Sequence, residues 1–595
     1  MNHQTRRNTY MTLLTRFLEN VKRRPSHTAV HYFNNGHKYS LNWQQTYDFI
    51  ESYFQGLQQL GVAKGDSVSI YSNTCKEWGF LDLAIMASGA KTVPLYHSSP
   101  VEDVEYVLAH CGAKILIIEN ETLYNKIKNT SIYKEQITKA ILINEFKVDD
   151  PKCIYLKDII TEDCPIAFED SIRSVRIEDD ATVIYTSGTS GEPKGVLLTH
   201  EQVLSSVTEV FPLLGVTHND CTLTFLPYSH VLGRMELWGS YFCGYTVGYA
   251  ESIEKIKKNL LVVKPTVIVG VPRIFEKIYF GIIAQIDISK TKRKVFDRAL
   301  EVGRLVAECR KNRKSPSWSL ALKYQIARKV VFRTIHEKLG GNLRFTVSGG
   351  APLDPEIGNF FESCGLPILE GYGLTESTAP IFINTMFESK PGTVGKAIGE
   401  VRAKLDDDGE ILIKSKKIMK EYYRNPEATQ KAFTEDGYFR TGDIGEIDSQ
   451  GFLKITDRKK DLIKTAGGKF IAPQKLQNLF ATAPLIDHIH VHGDKKKYVV
   501  ALVTLAKDHV LTLKKQYQLK ESSFEKLVFD PTVENSVRSC IAEVNQKLAS
   551  YETIKRYKVL DHEFSIEGGQ LTPSLKMKRK RIDELYKSDL DSLYQ

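Results

Sequence analysis

The sequence lacks the features that mark several specialised classes of protein. Its nine cysteines are scattered and no two form a CxxC pair, which argues against a disulfide framework and against a zinc site. No apolar run approaches the ~18 residues that predict a membrane-spanning helix. Arg16 interrupts the short apolar stretch MTLLTRFL, so we expect no signal peptide. These absences predict a protein of the reducing cytosol.

What is present is the composition of a large globular protein, with 42% apolar and 26% charged residues. The 595 residues exceed the ~250 to 300 at which a single core stops growing, so we expect two or more domains. Short apolar strands alternate with amphipathic segments, as in Ser67–Tyr71 followed by Glu77–Ala87. This alternation predicts an α/β fold of parallel or mixed sheets covered by helices. A meander-like β pattern after about residue 400 predicts a β-rich subdomain.

The most informative segment is YTSGTSGEPKG at Tyr185–Gly195, between two β-rich apolar runs. Its glycines let a ligand approach the backbone, its hydroxyl and N–H groups can bind anionic oxygens, and its lysine adds a mobile positive charge. The spacing is not that of a Walker-type GxxxxGK[ST] loop, and no helical pattern follows the lysine. We predict a strand, a triphosphate-binding loop and a strand, rather than an ordinary polar turn. The predicted phosphate-binding residues are Thr186, Ser187, Gly188, Thr189, Ser190, Gly191 and Lys194.

The segment resembles the signature loop of the adenylate-forming superfamily, which includes acyl-CoA synthetases, luciferases and the adenylation domains of peptide synthetases. Further matching motifs follow in the family's order: SGGAP at Ser348–Pro352, GYGLTEST at Gly371–Thr378, YFRTGD at Tyr438–Asp443 and DRKKDLIKTAGGKFIAP at Asp457–Pro473. The resemblance implies a large N-terminal domain over residues 1–459 and a small mobile C-terminal α/β domain over residues 460–595. It also implies a hinge at Lys460.

In this family a carboxylate attacks the α-phosphorus of ATP to form an acyl adenylate. Two full charges ~4 Å apart repel by ~4 kcal/mol at an effective dielectric of about 20, so the site must supply cations. Glu376 matches the family's Mg²⁺ ligand, and Thr375 matches a hydroxyl donor to the α-phosphate. Taken alone, this pair of residues could also be a helix cap.

The resemblance assigns the adenine and the ribose to other motifs. Tyr372 supplies an aromatic plane for the base, and the backbone of Gly349, Gly350 and Ala351 lies against the other side of the ring. The two residues implied for the ribose hydroxyls are Asp443 and Arg458. Each of the three side chains could instead be structural: Tyr372 as a core aromatic, Asp443 as a turn residue and Arg458 as a surface ion pair.

The catalytic lysine of the family usually stands in a GK dipeptide, and here a leucine replaces that glycine in PSLKMK. Similar endings occur in the long-chain acyl-CoA synthetase branch, so we assign Lys576, with Lys578 as the rival. A solvated basic tail is the alternative interpretation of both residues.

The acyl site is implied by LPYSHVLGRMELW at Leu226–Trp238, which places His230 near the reacting carboxylate and an apolar helix along an acyl tunnel. The alternative interpretation of His230 is structural, because a histidine that follows a strand can also cap a helix or lie in the core. The segment KPTVIVGVPRIFEKIY at Lys264–Tyr279 resembles long-chain fatty acid synthetases. For the second substrate, coenzyme A, the resemblance implies that Gly467 and Gly468 leave room for the pantetheine once the small domain has turned.

These motifs predict a long-chain fatty acid:CoA ligase that uses ATP, Mg²⁺ and coenzyme A. Two alternatives stay open. One is a fatty acyl-AMP ligase that passes the acyl group to a carrier protein. The other is a catalytically silent, basic membrane-surface protein that retains an ATP pocket.

The net charge of +9 is concentrated in one segment. Residues 285–340 contain 15 Lys or Arg and 5 Asp or Glu, a local charge of +10. The apolar spacing predicts a helical hairpin broken near Ser315–Trp318, and we call residues 285–340 the basic hairpin. It is either a solvated helix surface or a peripheral contact with anionic membrane, at the inner membrane face. No motif supports binding to nucleic acid.

Overall fold

The computed structural model describes residues 11–159, 166–186, 192–287, 289–312, 314–480, 482–572 and 576–595. Within these residues the chain forms two large helix-covered sheets, a smaller antiparallel sheet and a C-terminal α/β unit. The predicted α/β class is therefore confirmed. The predicted phosphate-binding residues Ser187, Gly188, Thr189, Ser190 and Gly191 lie outside the described residues.

The first large sheet has eight described strands and is parallel except at one edge, where Lys194–Thr199 runs antiparallel to both of its neighbours. Its strands, in spatial order, are Glu421–Tyr422, Lys194–Thr199, Asp180–Thr186, Lys91–Leu95, Ser67–Tyr71, Ile115–Ile118, Lys139–Leu142 and Cys153–Tyr155. The helices that precede, connect or follow these strands are Leu13–Arg23, Trp43–Gln59, Lys76–Ala87, Val101–Cys111, Glu121–Ile127, Ser131–Glu135, Phe168–Ser174 and His200–Leu213, with a 3₁₀ turn at Leu156–Ile159.

The second large sheet has nine described strands, of which the central six are parallel. In spatial order they are Lys396–Ala397, Phe382–Ile383, Ile368–Tyr372, Phe345–Ser348, Val267–Gly270, Cys221–Thr224, Thr246–Tyr249, Thr28–Asn34 and His37–Asn42. The associated helices are Val231–Cys243, Ile256–Val263, Pro272–Ile286, Lys290–Lys311, Trp318–Ala327, Arg333–Lys338 and Pro355–Ser363. The carboxyl ends of parallel strands meet at one edge of a sheet, so the segments after residues 224, 270 and 348 converge there.

The predicted meander is an antiparallel sheet of four strands: Arg402–Leu405, Glu410–Lys414, Phe439–Ile447 and Leu453–Arg458. Helix Pro426–Ala432 precedes the third of these strands. The register pairs Asp443 with Arg458 on the last two strands of the sheet. The two predicted ribose-binding residues are thus neighbours on adjacent strands.

The C-terminal unit has its own hydrophobic core, built from residues between Ile463 and Val559. It contains the hairpin Ile463–Lys464 and Phe470–Ile471 and a sheet of Ile486–His492, Val499–Leu505 and Ile554–Val559. Its helices are Pro473–Leu479, Lys507–Tyr517, Phe524–Leu527, Pro531–Gln546, Arg579–Leu585 and Lys587–Ser592.

The basic hairpin contains helices Lys290–Lys311 and Trp318–Ala327, and the predicted break lies between them. A π-helical turn at Arg328–Phe332 and helix Arg333–Lys338 complete it. A Cβ added at Gly303 would lie 2.1 Å from the carbonyl oxygen of Ser363, so the first helix crosses helix Pro355–Ser363 at close range. Among the described residues, no helix has the length and apolar character required to cross a bilayer.

Candidate active site

The phosphate loop is held by two strands in antiparallel register, with Thr186 opposite Lys194. The Thr186 hydroxyl donates a hydrogen bond to the Lys194 carbonyl oxygen at 3.4 Å. Lys194 is exposed, and its ammonium lies 4.8 Å from the centre of the Tyr422 ring, in cation–π contact. The two described polar residues at the ends of the loop are therefore adjacent, as the strand–loop–strand prediction requires.

Glu376 lies in a 3₁₀ turn, Thr375–Ser377, and its neighbour Thr375 is buried. The Tyr422 hydroxyl donates a hydrogen bond to Glu376 Oε1 at 2.8 Å. Oε2 has no hydrogen-bond partner among the described residues. Tyr422 thus connects the two predicted ATP-binding motifs, because the same ring contacts Lys194. The motif itself forms this 3₁₀ turn, between Leu374 and Thr378, and no α-helix begins at it.

Tyr372, Asp443 and Arg458 form a connected group. The Tyr372 hydroxyl donates to Asp443 Oδ2 at 2.6 Å, and Arg458 Nε lies 3.2 Å from Asp443 Oδ1. Burial raises the pKa of the Asp443 carboxyl, and the Arg458 guanidinium opposes that shift. This group orients the Tyr372 ring and holds Asp443 in place at the end of the antiparallel sheet.

The glycines of SGGAP follow strand Phe345–Ser348 at the carboxyl edge of the nine-stranded sheet. Gly349 is buried, and a Cβ at this position would come within 3.3 Å of the Leu232 side chain. Gly350 has a φ of +83°, a left-handed conformation that favours glycine, and Gly350 and Ala351 are exposed. The backbone here is therefore accessible at the edge where Tyr372 also ends its strand.

Lys576 enters this group from the C-terminal unit. Its side chain is accessible to solvent but is surrounded by protein, as expected in a cleft. Desolvation lowers its pKa to about 8, with a further lowering by Arg458 that Asp443 and Glu376 oppose. The residues at positions 376, 443 and 458, which are far from Lys576 in the sequence, thus all act electrostatically on its ammonium group.

The rival lysine occupies a different kind of position. Lys578 immediately precedes helix Arg579–Leu585, and its backbone N–H donates to the Gln570 carbonyl oxygen at 2.8 Å. Lys576 is held by two hydrogen bonds to Thr572, one of them from the Lys576 N–H to Thr572 Oγ1 at 3.0 Å. Of the two lysines, Lys576 is the one whose charge acts on the cleft residues Asp443 and His230.

His230 has the helix-cap role that the sequence left open as an alternative. It caps helix Val231–Cys243, where the Leu232 N–H donates to His230 Nδ1 at 3.1 Å. Because Nδ1 accepts, the neutral ring carries its proton on Nε2. Burial, assisted by the charge of Lys576, lowers the pKa of His230 to about 3, so the imidazole is neutral at physiological pH.

Gly467 and Gly468 lie apart from this group, in the exposed turn between strands Ile463–Lys464 and Phe470–Ile471. The hydrogen bonds of this turn stay within the C-terminal unit, including one from the Ala466 N–H to the Lys496 carbonyl oxygen at 2.9 Å. A Cβ at Gly468 would have no neighbour within 4 Å. In this arrangement Lys576, and not the glycine turn, faces the cleft.

A contact that the sequence did not predict joins the two parts of the chain. Arg273, at the start of helix Pro272–Ile286, forms ion pairs with Glu276 and with Asp487 of the C-terminal sheet. His488 Nδ1 also contacts Asp487, at 2.6 Å. The Phe280 and His509 rings are 6.1 Å apart at the same boundary. These contacts stabilise the arrangement in which Lys576 lies in the cleft.

The predicted helix after His230 is buried on all sides, and a buried ion pair fixes it. Arg234 Nη2 lies 2.7 Å from Asp82 Oδ1, both side chains are fully buried, and Trp78 and Trp238 both contact the guanidinium. A small apolar cavity of about 10 Å³ lies beside a different helix, Pro272–Ile286. Phe225 and Leu343 are among the residues that line it.

Two comparisons by sequence identify the chain's relatives. A family model described as AMP-binding enzyme matches residues 17–423, and one described as AMP-binding enzyme C-terminal domain matches residues 460–595. The long-chain-fatty-acid–CoA ligase FadD15 of Mycobacterium bovis is 36% identical over 546 residues, covering 91% of this chain and 90% of that protein. Long chain acyl-CoA synthetase 3 of Arabidopsis thaliana is 29% identical, covering 93% and 86%.

A comparison by structure shows that the fold occurs in solved proteins. The adenylation domain of a carboxylate reductase from Mycobacterium chelonae superposes with a TM-score of 0.76 at 22% identity, covering 98% of this chain and 91% of that one. The chain belongs to the AMP-binding enzyme family, within the adenylate-forming superfamily that its motifs resemble. The predicted family membership is thereby confirmed.

Proposed function

We propose that the protein is a long-chain fatty acid:CoA ligase that forms an acyl adenylate and then an acyl-CoA. In the first step a carboxylate oxygen forms a bond to the α-phosphorus of ATP, and pyrophosphate leaves. In the second step the thiol sulfur of coenzyme A attacks the acyl carbonyl carbon, and AMP leaves. The observation that carries the proposal is the cleft in which Lys576 meets Glu376, Asp443 and Arg458, in a chain whose sequence relatives are named as such ligases.

The phosphate end of ATP is assigned to the first two motifs. Lys194 and the glycine-rich loop bind the phosphate oxygens, and Thr375 contributes a hydroxyl to the α-phosphate. Glu376 fits a Mg²⁺ ligand, because Tyr422 orients one carboxylate oxygen and leaves the other without a hydrogen bond among the described residues. Mg²⁺ is commonly held by one or two carboxylates and the substrate's phosphates, where it withdraws charge from the phosphorus.

The nucleoside end is assigned to the Tyr372 group. Adenine would stack on the Tyr372 ring and lie against the accessible backbone at Gly349, Gly350 and Ala351. The Asp443 carboxylate accepts from the ribose hydroxyls, and the Arg458 guanidinium opposes the rise in its pKa that burial causes. Asp443 already accepts a hydrogen bond from Tyr372, so base and sugar are positioned by one connected group.

Lys576 acts in the adenylation step. Its ammonium neutralises the negative charge that the attacking carboxylate and the α-phosphate bring together. His230, neutral and with its proton on Nε2, can donate a hydrogen bond to the acyl carboxylate without adding a charge.

The second step requires Lys576 to leave the cleft. We assign the hinge to Lys460, an exposed residue in the turn after strand Leu453–Arg458, with residues 1–459 and 460–595 as the two domains. Rotation about this hinge would exchange Lys576 for the turn with Gly467 and Gly468. Those two residues have no side chains and would leave room for the pantetheine of coenzyme A.

The location we propose is the cytoplasm, with a peripheral contact of the basic hairpin on anionic membrane. Long-chain acids partition into bilayers, so a ligase at the surface meets a higher substrate concentration. The expected test is salt-sensitive sedimentation with anionic vesicles, because the Debye length falls from ~10 Å at 0.1 M to ~3 Å at 1 M. Changing Lys292, Arg293, Lys294, Arg310, Lys311, Arg313 and Lys314 to Gln should abolish it; Arg313 lies outside the described residues.

The ligase proposal is tested by product analysis with a long-chain acid and ATP. We expect pyrophosphate release in the absence of acceptor and AMP release that depends on coenzyme A. Adenylate formation without CoA-dependent AMP release would identify a fatty acyl-AMP ligase that serves a carrier protein. Absence of pyrophosphate release with any acid would identify a silent protein.

A further inference from the structure

The second helix of the basic hairpin is apolar on two opposite sides, but only one side is covered. Tyr324 and Ala327 face inward and are buried, and Phe332 of the following turn has no exposed surface. On the outer side, Trp318, Leu322, Ile326 and Val330 are 81%, 55%, 57% and 68% exposed. The spacing of four residues places them in one continuous row, which we call the apolar stripe.

The charges around the apolar stripe are of one sign. Lys323, Arg328 and Lys329 are exposed, and none of them forms a salt bridge within the described part of the chain. On an ideal helix, Lys323 and Lys329 fall on either side of the stripe. This contrasts with Arg293 and Arg333 of the same hairpin, which pair with acidic side chains of their own helices or of the preceding turn.

We propose that the apolar stripe inserts into the interfacial region of an anionic lipid bilayer, with the basic side chains beside it at the headgroups. An exposed apolar row flanked by lysines and begun by a tryptophan is the pattern of helices that lie in the plane of a membrane surface. Charge complementarity favours an anionic bilayer over a neutral one. The proposal deepens the proposed membrane contact of the ligase and rests on it.

The test uses the full-length protein and a variant that keeps every charge: Leu322→Gln, Ile326→Gln and Val330→Thr together. Partition onto vesicles of phosphatidylcholine with phosphatidylglycerol should fall by about tenfold or more, because each residue loses apolar surface that the bilayer would bury. The matched control is Phe387→Ser with Ile253→Gln, which removes two apolar side chains that are 83% and 62% exposed elsewhere. The control should partition as the wild type does.

Insertion has a separate optical readout. Trp43, Trp78 and Trp238 are fully buried, so Trp318 is the tryptophan that a lipid-borne quencher can reach. Brominated lipid in the vesicles should quench the wild-type fluorescence. Trp318→Phe should still partition onto vesicles but lose this quenching.

Three results would overturn the proposal: equal partition of the stripe variant and the wild type, no quenching of Trp318 by brominated lipid, or lipid-free dimerisation that the stripe variant abolishes. The last result would assign the stripe to a protein interface. If the variant with Lys and Arg changed to Gln loses vesicle binding while the stripe variant keeps it, the contact is electrostatic and the stripe does not insert. CoA-dependent AMP release on a long-chain acid dispersed in detergent, measured without vesicles, tests the ligase function independently of all these outcomes.

Discussion

Removing the ammonium of Lys576 tests the assignment on which the adenylation step depends. Lys576 is the group on which the charges of Arg458, Asp443 and Glu376 act together. Loss of one preorganised donor at a developing charge typically lowers the rate ~10² to 10³-fold, about 2.7 to 4 kcal/mol. Lys576→Ala should therefore reduce ATP-dependent acyl-adenylate formation by that factor. Thiolysis of supplied acyl adenylate should stay near the wild-type rate, because the lysine has left the cleft in that step.

The same residue predicts a pH dependence whose direction follows from its pKa. Desolvation lowers that pKa to about 8 in the free enzyme, so the ammonium is present below pH 8 and is lost as the pH rises through this value. The kcat/KM of adenylation should therefore fall about tenfold per pH unit above the pKa. Bound ATP adds negative charge and favours the ammonium, so the descending limb of kcat should lie at higher pH. Lys576→Arg should lose the limb, because a guanidinium stays protonated.

The assay is pyrophosphate release in single turnover, with Lys578→Ala as the matched control. The control variant should adenylate at nearly the wild-type rate, because Lys578 begins a helix and its N–H is used in a backbone contact. Full adenylation activity in Lys576→Ala, or a large loss in Lys578→Ala, would refute the assignment. Equal loss of both half-reactions in Lys576→Ala would indicate a structural role.

Four further substitutions probe the hinge, the metal, the domain contact and the core. Lys460→Pro should impair mainly thioester formation, since a fixed φ opposes the rotation; equal loss in both half-reactions would place the hinge elsewhere. Tyr422→Phe should raise the Mg²⁺ concentration for half-maximal adenylation ~10-fold, because Glu376 loses its orienting hydrogen bond; an unchanged requirement would remove Glu376 as ligand. Arg273→Gln removes a partly exposed ion pair that stabilises the arrangement with Lys576 in the cleft. The rate of thioester formation relative to that of adenylation should therefore rise, by at most about fivefold. Arg234→Leu should lower the free energy of unfolding in urea by ~3 to 5 kcal/mol, because it leaves a buried carboxylate without its cation; a loss below about 1 kcal/mol would contradict this.

The sequence predicted the fold well where periodicity and motif order agree. Strand Ser67–Tyr71 has the predicted bounds and helix Lys76–Ala87 begins one residue before the predicted segment, because both are apolar patterns between clear turn signals. The family resemblance assigned Asp443 and Arg458 to the same ribose, and the register pairs them across two strands. The parallel strands place SGGAP and the segment of His230 at one edge of the nine-stranded sheet, whereas the strands of the phosphate loop belong to the eight-stranded sheet.

Contacts between distant segments could not be predicted in this way. Tyr422 belongs to none of the motifs that the sequence analysis singled out, yet its hydroxyl orients Glu376. The ion pair of Arg273 with Asp487 depends on how the two parts of the chain lie against each other, which no local pattern encodes. The apolar stripe was not predicted because its residues alternate along the chain with the buried residues of the same hairpin, so the sequence does not show which apolar side is covered.

The central claim is that this cleft activates a long-chain fatty acid for transfer to coenzyme A. The most direct measurement is AMP release by the purified wild-type protein with ATP, Mg²⁺ and coenzyme A, across saturated acids from acetate to stearate. The account predicts AMP release that requires both acid and coenzyme A, is highest with the long-chain acids, and falls to background in Lys576→Ala. AMP release that peaks at acetate, or that proceeds equally without coenzyme A, would contradict it.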